Sequence, residues 1–143
     1  GGDIKLIKEL IFKNKTIAAL KLWGLALSRI KKHETLDLVY TYLTVKDFAD
    51  NDVPESLSEG ISNFLNNLSE GKASLILKEM PDNKIKGSFR TTRDQIDVGQ
   101  IAKSLGGGGH KKAAGFIIDG PLKRAAQEVF ETIKTNKQLT IKD

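Results

Sequence analysis

The sequence predicts a mixed α/β (α+β) domain, with a central sheet of about four or five strands, flanking helices and a preceding N-terminal linker helix. Three observations carry this prediction. Leu36 to Leu43, rich in Val, Tyr and Leu, has strand character, and Ala73 to Met80 reads as a further strand. Segments with helical apolar period separate and follow them. Pro81-Asp82-Asn83 supplies a turn between the second run and a third at 84–91, which marks a hairpin. The chain has 143 residues and a mass of 15.7 kDa. Size scaling gives a folded surface of roughly 7,000 Å² against roughly 23,000 Å² unfolded, so a self-sufficient core is possible.

The elements follow in order. Ile4 to Phe12 is helix-like but short. Thr16 to Lys32 reads as a longer helix with Leu20, Trp23, Leu27 and Ile30 in phase, widened by Leu22, Leu25 and Ala26. His33 then reads as an exposed cap at its end. Leu36 to Leu43 reads as a buried strand, and Thr44 with Asp47 starts a short helix over Val45 to Asp50. Ser56 and Glu59 form a capping-box pattern. Leu57, Ile61, Phe64, Leu65 and Leu68 extend that helix towards Gly71, read as its stop. In the hairpin's second strand Ile85, Gly87 and Phe89 alternate with Lys84, Lys86, Ser88 and Arg90, so one face is core-directed and the other basic and hydroxylated. Asp97 with Gln100 opens a helix that buries Val98, Ile101, Ala102 and Leu105 and runs into Gly106-Gly107-Gly108-Gly109. Gly115 to Asp119 reads as a short strand, and Gly120-Pro121 opens a last helix with Leu122, Ala125, Ala126, Val129, Phe130 and Ile133 on its apolar face.

Composition excludes several classes. The absence of Cys removes disulfide scaffolds, zinc fingers and thiol catalysis. No apolar run is long enough to span a bilayer, and Gly1-Gly2-Asp3 is not a signal peptide, so a cytoplasmic location and no membrane partner are expected. His33 and His110 are the only imidazoles, and the acids are scattered rather than clustered for a metal pair. No Gly-x-Ser-x-Gly elbow is present. Trp23, Tyr40 and Tyr42 read as core or interface residues rather than base-stacking platforms.

Charge is localised. Between Lys84 and Lys112, Lys84, Lys86, Arg90, Arg93, Lys103, Lys111 and Lys112 stand against Asp94 and Asp97, a surplus of +5 that equals the net charge of the whole chain. This stretch suits an anionic partner or is a solvated basic face. Within it, Gly106 to Gly115 (GGGGHKKAAG) holds more glycine than a turn needs. Backbone N–H groups without side chains can approach an anion closely, and His110, Lys111 and Lys112 add donors and charge. The alternative is a flexible helix-to-strand connection. The run is neither a Walker A loop nor a dinucleotide fingerprint. Ser88 and Arg90, on one strand face, pair a hydroxyl with a guanidinium fork in a way that suits phosphate oxygens; an exposed polar strand face is the other reading.

The run Gly106 to Phe116, with Ser88 and Arg90 upstream and Asp97-Val98 opening the intervening helix, resembles the glycine-rich signature of the DHH-associated domain, first subfamily. The similarity is nearest to the nano-RNase/pAp phosphatase group and more distant to RecJ-type exonucleases. It extends over about Leu20 to Ile133; Leu22 to Ile30 resembles the helix that joins the two domains of those enzymes, and Gly60-Ile61 sits at a similar pair. Alanyl-tRNA synthetases carry a related glycine-rich domain whose run lacks the His-x-x-Ala-Ala-Gly continuation.

The resemblance implies a substrate-binding half of a two-domain phosphoesterase. Residues 1–33 would be the helical linker and the end of a missing DHH domain, and residues 34–143 the substrate-binding domain. Mn²⁺ or Mg²⁺ would sit in the missing half and none in this chain. Ser88 and Arg90 would hold a terminal phosphate and Gly106, Gly107, Gly108 and Gly109 would shape the loop around it. Lys111 adds charge beside that loop. His110 would approach the reacting phosphate as an assisting group. The implied ligand is a phosphorylated nucleotide or short single-stranded RNA or DNA, a homodimer is possible, and the chain alone should hydrolyse nothing. The competing reading is a regulatory or protein-interaction domain whose basic face takes an acidic partner.

Overall fold

The computed structural model describes residues 17–51, 57–68 and 71–136. Its elements are α1 (Ile17–Ser28), β1 (Lys31–His33), β2 (Leu38–Leu43), α2 (Val45–Asn51), α3 (Leu57–Asn66), β3 (Ala73–Met80), β4 (Lys84–Arg90), α4 (Val98–Ser104), β5 (Gly108–His110), β6 (Ala113–Asp119) and α5 (Leu122–Asn136). The strands form one six-stranded sheet in the order β1-β2-β3-β4-β6-β5. Among the described strands only β2 and β3 pair in parallel; α2 and α3 lie in the crossover between them.

The mixed architecture agrees with the sequence, with six strands instead of four or five. The extra strands are the short edges. Lys31-Lys32, expected to continue the first helix, instead pair with Tyr40 and Val39 in an antiparallel edge. Part of the glycine run, read as an anion cradle or else a flexible connection and not as a strand, pairs as β5 with β6. Such three-residue edges carry too little apolar pattern to be read from sequence.

Alternation divides the sheet into two faces. One takes Leu38, Leu75, Leu77, Ile85, Phe89, Ala114 and Phe116 into a core with Val98, Ile101, Ala102 and Leu105 around α4, and Ala125, Val129 and Ile133 from α5. The other takes Val39, Leu43 and Ile76 into a second cluster with Ala19, Leu22, Trp23 and Ala26 of α1, and Ile61 and Leu65 of α3. The α1 stripe is therefore rotated from the expected one: Leu20 is exposed, while Leu27 and Ile30 are half-buried. Three neighbours, β2, α2 and α3, select this face.

Local signals explain most boundaries. Asp47 accepts from the Thr44 amide (2.7 Å) and its own amide donates to Thr44 Oγ1 (3.1 Å), a reciprocal cap for α2. Asp97 Oδ1 accepts from the Gln100 amide at 3.2 Å and starts α4. Asp82 and Asn83 take the positive φ values of the tight turn between β3 and β4. Pro121 precedes α5, and its carbonyl accepts from the Ala125 amide (3.0 Å).

Other expectations need correction. Helix α3 ends at Asn66, so Gly71 is not its stop; its φ of 84° serves the entry to β3, where Lys72 N donates to Asp37 O at 2.7 Å. His33 is not an exposed helix cap. It lies in β1, half-buried, with its ring 4.8 Å from that of Phe130 and Nδ1 accepting from the Leu36 amide. Trp23 is buried edge-on to Phe64, and Tyr40 and Tyr42 pack on the main core, as expected for core aromatics. The helix expected at Ile4 to Phe12 and the capping pair Ser56 and Glu59 lie outside the described residues or side chains.

Candidate phosphate-binding face

The second cluster draws on β2 and β3 and takes no residue from β4, β6 or β5. The same face of those three strands gives no residue to that cluster, although α3 reaches β4, and it carries most of the side chains singled out from sequence. Pairing fixes their arrangement. Arg90 is opposite Ala113, and Ala113 is opposite His110. Ser88 is opposite Gly115, and Gly115 is opposite Gly108. Two parallel rows result. Each has a donor on β4, a small residue on β6, and either His110 or Gly108 on β5.

The rows span two inter-strand spacings, about 10 Å. Ala113, Gly115 and Gly108 leave the floor between them almost free of side chains, so a ligand can approach the sheet backbone there. Ser88 and Arg90 are half-buried, while His110 is exposed. Arg90 spends one N–H on the Phe89 carbonyl at 3.0 Å, which leaves most of its donor fork for a ligand. An oxyanion between Arg90, Ser88 and His110 would meet two kinds of N–H donor and a hydroxyl.

The four glycines divide by role. Gly106 lies just past α4 at φ 83°, its amide donating to Lys103 O (3.0 Å), while the Gly107 amide donates to Ala102 O (2.8 Å). This is a Schellman ending. A Cβ at Gly107 would come within 2.1 Å of Gly115 O, and one at Gly109 within 2.6 Å of Ala114 Cα. These glycines let the helix end turn directly onto β6. Gly108 has no such constraint: a Cβ there would meet nothing within 4 Å. The amides of Gly106 and Gly107 are thus occupied by helix termination, and a cradle built from all four amides is not what the geometry offers.

Lys111 lies away from the Arg90 row. It lines a recess of about 460 Å³ with Asp97, Gln100, Lys103 and the backbone of Gly107 to Gly109. Its carbonyl accepts from the Val98 amide at 2.8 Å, and that of Lys112 from the Thr91 amide at 3.0 Å, so the segment after His110 is pinned at both ends. Lys112 Nζ also reaches Asp94 at 2.7 Å. That contact holds the Asp94 carboxyl below the usual carboxylate range. Among the described residues no three His, Asp or Glu side chains gather to hold a metal ion, and no helix is long and apolar enough to cross a membrane.

Sequence reasoning missed the floor. Ala113 and Gly115 drew notice only as part of the glycine-rich motif, yet register sets them between the donors. Gly60 has a structural purpose as well, since a Cβ there would press on the Trp23 ring at 3.1 Å.

Residues 37–136 match the DHHA1 domain model. The chain belongs to the DHHA1 domain family. No curated protein matches its sequence. Among solved structures, an exopolyphosphatase-related protein from Bacteroides fragilis is 25% identical with a TM-score of 0.79, over 94% of this chain and 40% of that one. A pGpG-specific phosphodiesterase from Vibrio cholerae shares the fold at 14% identity and TM-score 0.53, over 85% of this chain and 40% of its own. The C-Ala domain of Aquifex aeolicus alanyl-tRNA synthetase shares it at 16% identity and TM-score 0.52, over 76% of this chain and 96% of its own. The DHHA1 chain thus spans about two-fifths of the length of the first two proteins.

Proposed function

We propose that this DHHA1 domain is the substrate-binding half of a two-domain, metal-dependent phosphoesterase of the DHH type. In this reading it holds the terminal phosphate of a phosphorylated nucleotide or short single strand. The observation that carries the reading is the placement of Ser88, Arg90 and His110 on one sheet face by strand register, around a floor of Ala113, Gly115 and Gly108. Charge-assisted hydrogen bonds from a guanidinium and an imidazole favour a phosphate over a neutral group. That face would be closed by a catalytic half that carries Mn²⁺ or Mg²⁺, and His110 would assist at the reacting phosphate. The partial coverage of the Bacteroides and Vibrio proteins supports a longer parent, and the Vibrio enzyme's dinucleotide substrate supports the ligand class.

The test is an amide-resolved NMR titration of the chain with a 5′-phosphorylated dinucleotide and its unphosphorylated twin. Shifts at Ser88, Arg90 and Gly108 to His110 with the phosphorylated ligand alone are expected. Equal shifts with both ligands would overturn the phosphate assignment. The chain alone, incubated with Mn²⁺ and the same dinucleotide, should release no product.

A further inference from the structure

Helix α4 passes close to the backbone of β5, and one residue sets how close. Gly99 is the second residue of that helix and has no positive φ. Nothing in its own backbone calls for glycine, and alanine is the better helix former. The surroundings supply the reason. A Cβ at Gly99 would lie 3.0 Å from His110 O, 3.3 Å from Gly109 O and 3.1 Å from Asp97 Oδ1. All three are inside ordinary van der Waals contact, so a side chain here would make its neighbours give by a few tenths of an ångström.

The two sides of this contact are unequally held. Val98, Ile101 and Ala102 fix α4 in the main core, fully buried, and Asp97 caps its start through the Gln100 amide. Strand β5 is three residues long, exposed throughout, and lies at the end of the sheet beside β6. A side chain at position 99 would therefore displace β5 rather than α4. The chain after His110 cannot absorb the shift, because Lys111 O accepts from the Val98 amide at 2.8 Å and Lys112 O from the Thr91 amide at 3.0 Å. Thr91 is itself buried, its hydroxyl donating to Lys72 O at 2.7 Å. The movement falls on Gly109 and His110, which carry the imidazole into the Arg90 row.

We propose that Gly99 is a positioning residue for His110. Its missing side chain lets β5 settle against α4 at the depth that sets the imidazole level with Arg90, and so decides how well a phosphate is held between them. Gly99 acts through the carbonyls of Gly109 and His110 and makes no contact with the ligand. The inference rests on the reading of Arg90, Ser88 and His110 as the terminal-phosphate site, and adds to that site a residue from a neighbouring helix.

A binding cycle tests it. Wild type, Gly99→Ala, His110→Ala and the double variant are titrated calorimetrically with the 5′-phosphorylated dinucleotide, with Gly99→Val as a larger step. His110→Ala should weaken binding about tenfold, the upper range for one hydrogen bond. Gly99→Ala should weaken it about three- to fivefold, as a displacement well short of 1 Å costs part of what a full misplacement costs, and Gly99→Val should weaken it more. In the His110→Ala background Gly99→Ala should change affinity by less than about 1.5-fold, because the group it positions is gone. Without ligand, Gly99→Ala should unfold close to the wild-type temperature. It should move the amide signals of Gly108 to His110 and leave those of Ser88 and Arg90 in place. Equal losses from Gly99→Ala with and without His110, full affinity in Gly99→Ala, signal changes spread along β4, or a Gly99→Ala chain that does not fold would each overturn the positioning role and leave the phosphate site standing. Binding indifferent to His110→Ala, or no binding by wild type, would overturn both.

Discussion

Arg90 and His110 flank Ala113 in a single cross-strand row, with the guanidinium on β4 and the imidazole on an edge strand two places away. They are twenty residues apart in sequence, and helix α4 intervenes. The glycine-assisted turn after α4 closes that distance, because it lets β5 fold back beside β6. The row therefore depends on backbone geometry as much as on its two polar members.

Arg90→Ala should weaken a phosphorylated ligand by about 1.5–3 kcal/mol, the range for a hydrogen bond to a charged group. Stability should change little, because Arg90 gives only one described hydrogen bond, to the carbonyl of its own neighbour. Calorimetry with wild type and variant at fixed salt measures the difference, and equal affinities would remove Arg90 from the site.

The glycines should separate on substitution. Gly107→Ala forces a Cβ to 2.1 Å from Gly115 O, a backbone atom that cannot move without breaking the sheet. A loss of about 1–3 kcal/mol is expected in denaturant unfolding. Gly108→Ala meets nothing and should fold with stability within about 0.5 kcal/mol of wild type. Its new methyl projects from the ligand floor, so phosphate-dependent binding should fall. Stability lost at Gly108, with binding kept, would reverse the division of roles.

The division also shows how far the sequence could be read. Long strands and helices were legible because β3, β4 and α5 carry sustained periods, and the caps at Thr44/Asp47 and Asp97/Gln100 held to the residue. The edge strands β1 and β5 were not, since a Lys-Lys-His or Gly-Gly-His triplet has no pattern of its own and pairs only because a neighbour offers an edge. At the candidate site, Ser88, Arg90 and His110 were legible as residue types in a motif. Their shared face was legible only within β4; the step across to His110 needed the register of β6 and β5.

On the opposite, buried face Gly87 should be intolerant. A Cβ there would come within 2.0 Å of Phe116 Cζ, in a ring that packs 5.4 Å from Phe89. Gly87→Ala should cost about 1–3 kcal/mol. Phe116→Leu, which removes the clashing ring atoms, should recover part of that cost in the double variant. A double-mutant cycle with a coupling near zero would place the damage elsewhere.

Acid should loosen the attachment of α1. Asp47 accepts from Arg29 Nη1 at 2.6 Å and Nη2 at 3.2 Å, and from the Thr44 amide. Burial alone would raise the Asp47 carboxyl, but the bonds from Arg29 and Thr44 outweigh it and hold the group below its ordinary value. A carboxylate depressed in the folded state contributes stability that is complete above the unfolded value, about 3.9, and is lost as pH falls through the folded value. Asp47→Asn should therefore cost about 1–3 kcal/mol at neutral pH. Its unfolding temperature should also fall less steeply than that of wild type as pH drops below about 4. Asp94 and Asp119 are depressed by Lys112 and Lys84 in both proteins, so the difference between the two profiles isolates Asp47. Hydrogen exchange supplies the location. Arg29 follows α1 directly, and Thr41 Oγ1 donates to Ala26 O in the same last turn. Amides of Leu22 to Ala26 should thus lose protection in Asp47→Asn before those of β3 or β4. Parallel pH profiles, or uniform loss of protection across the sheet, would mean that the ion pair does not anchor this helix.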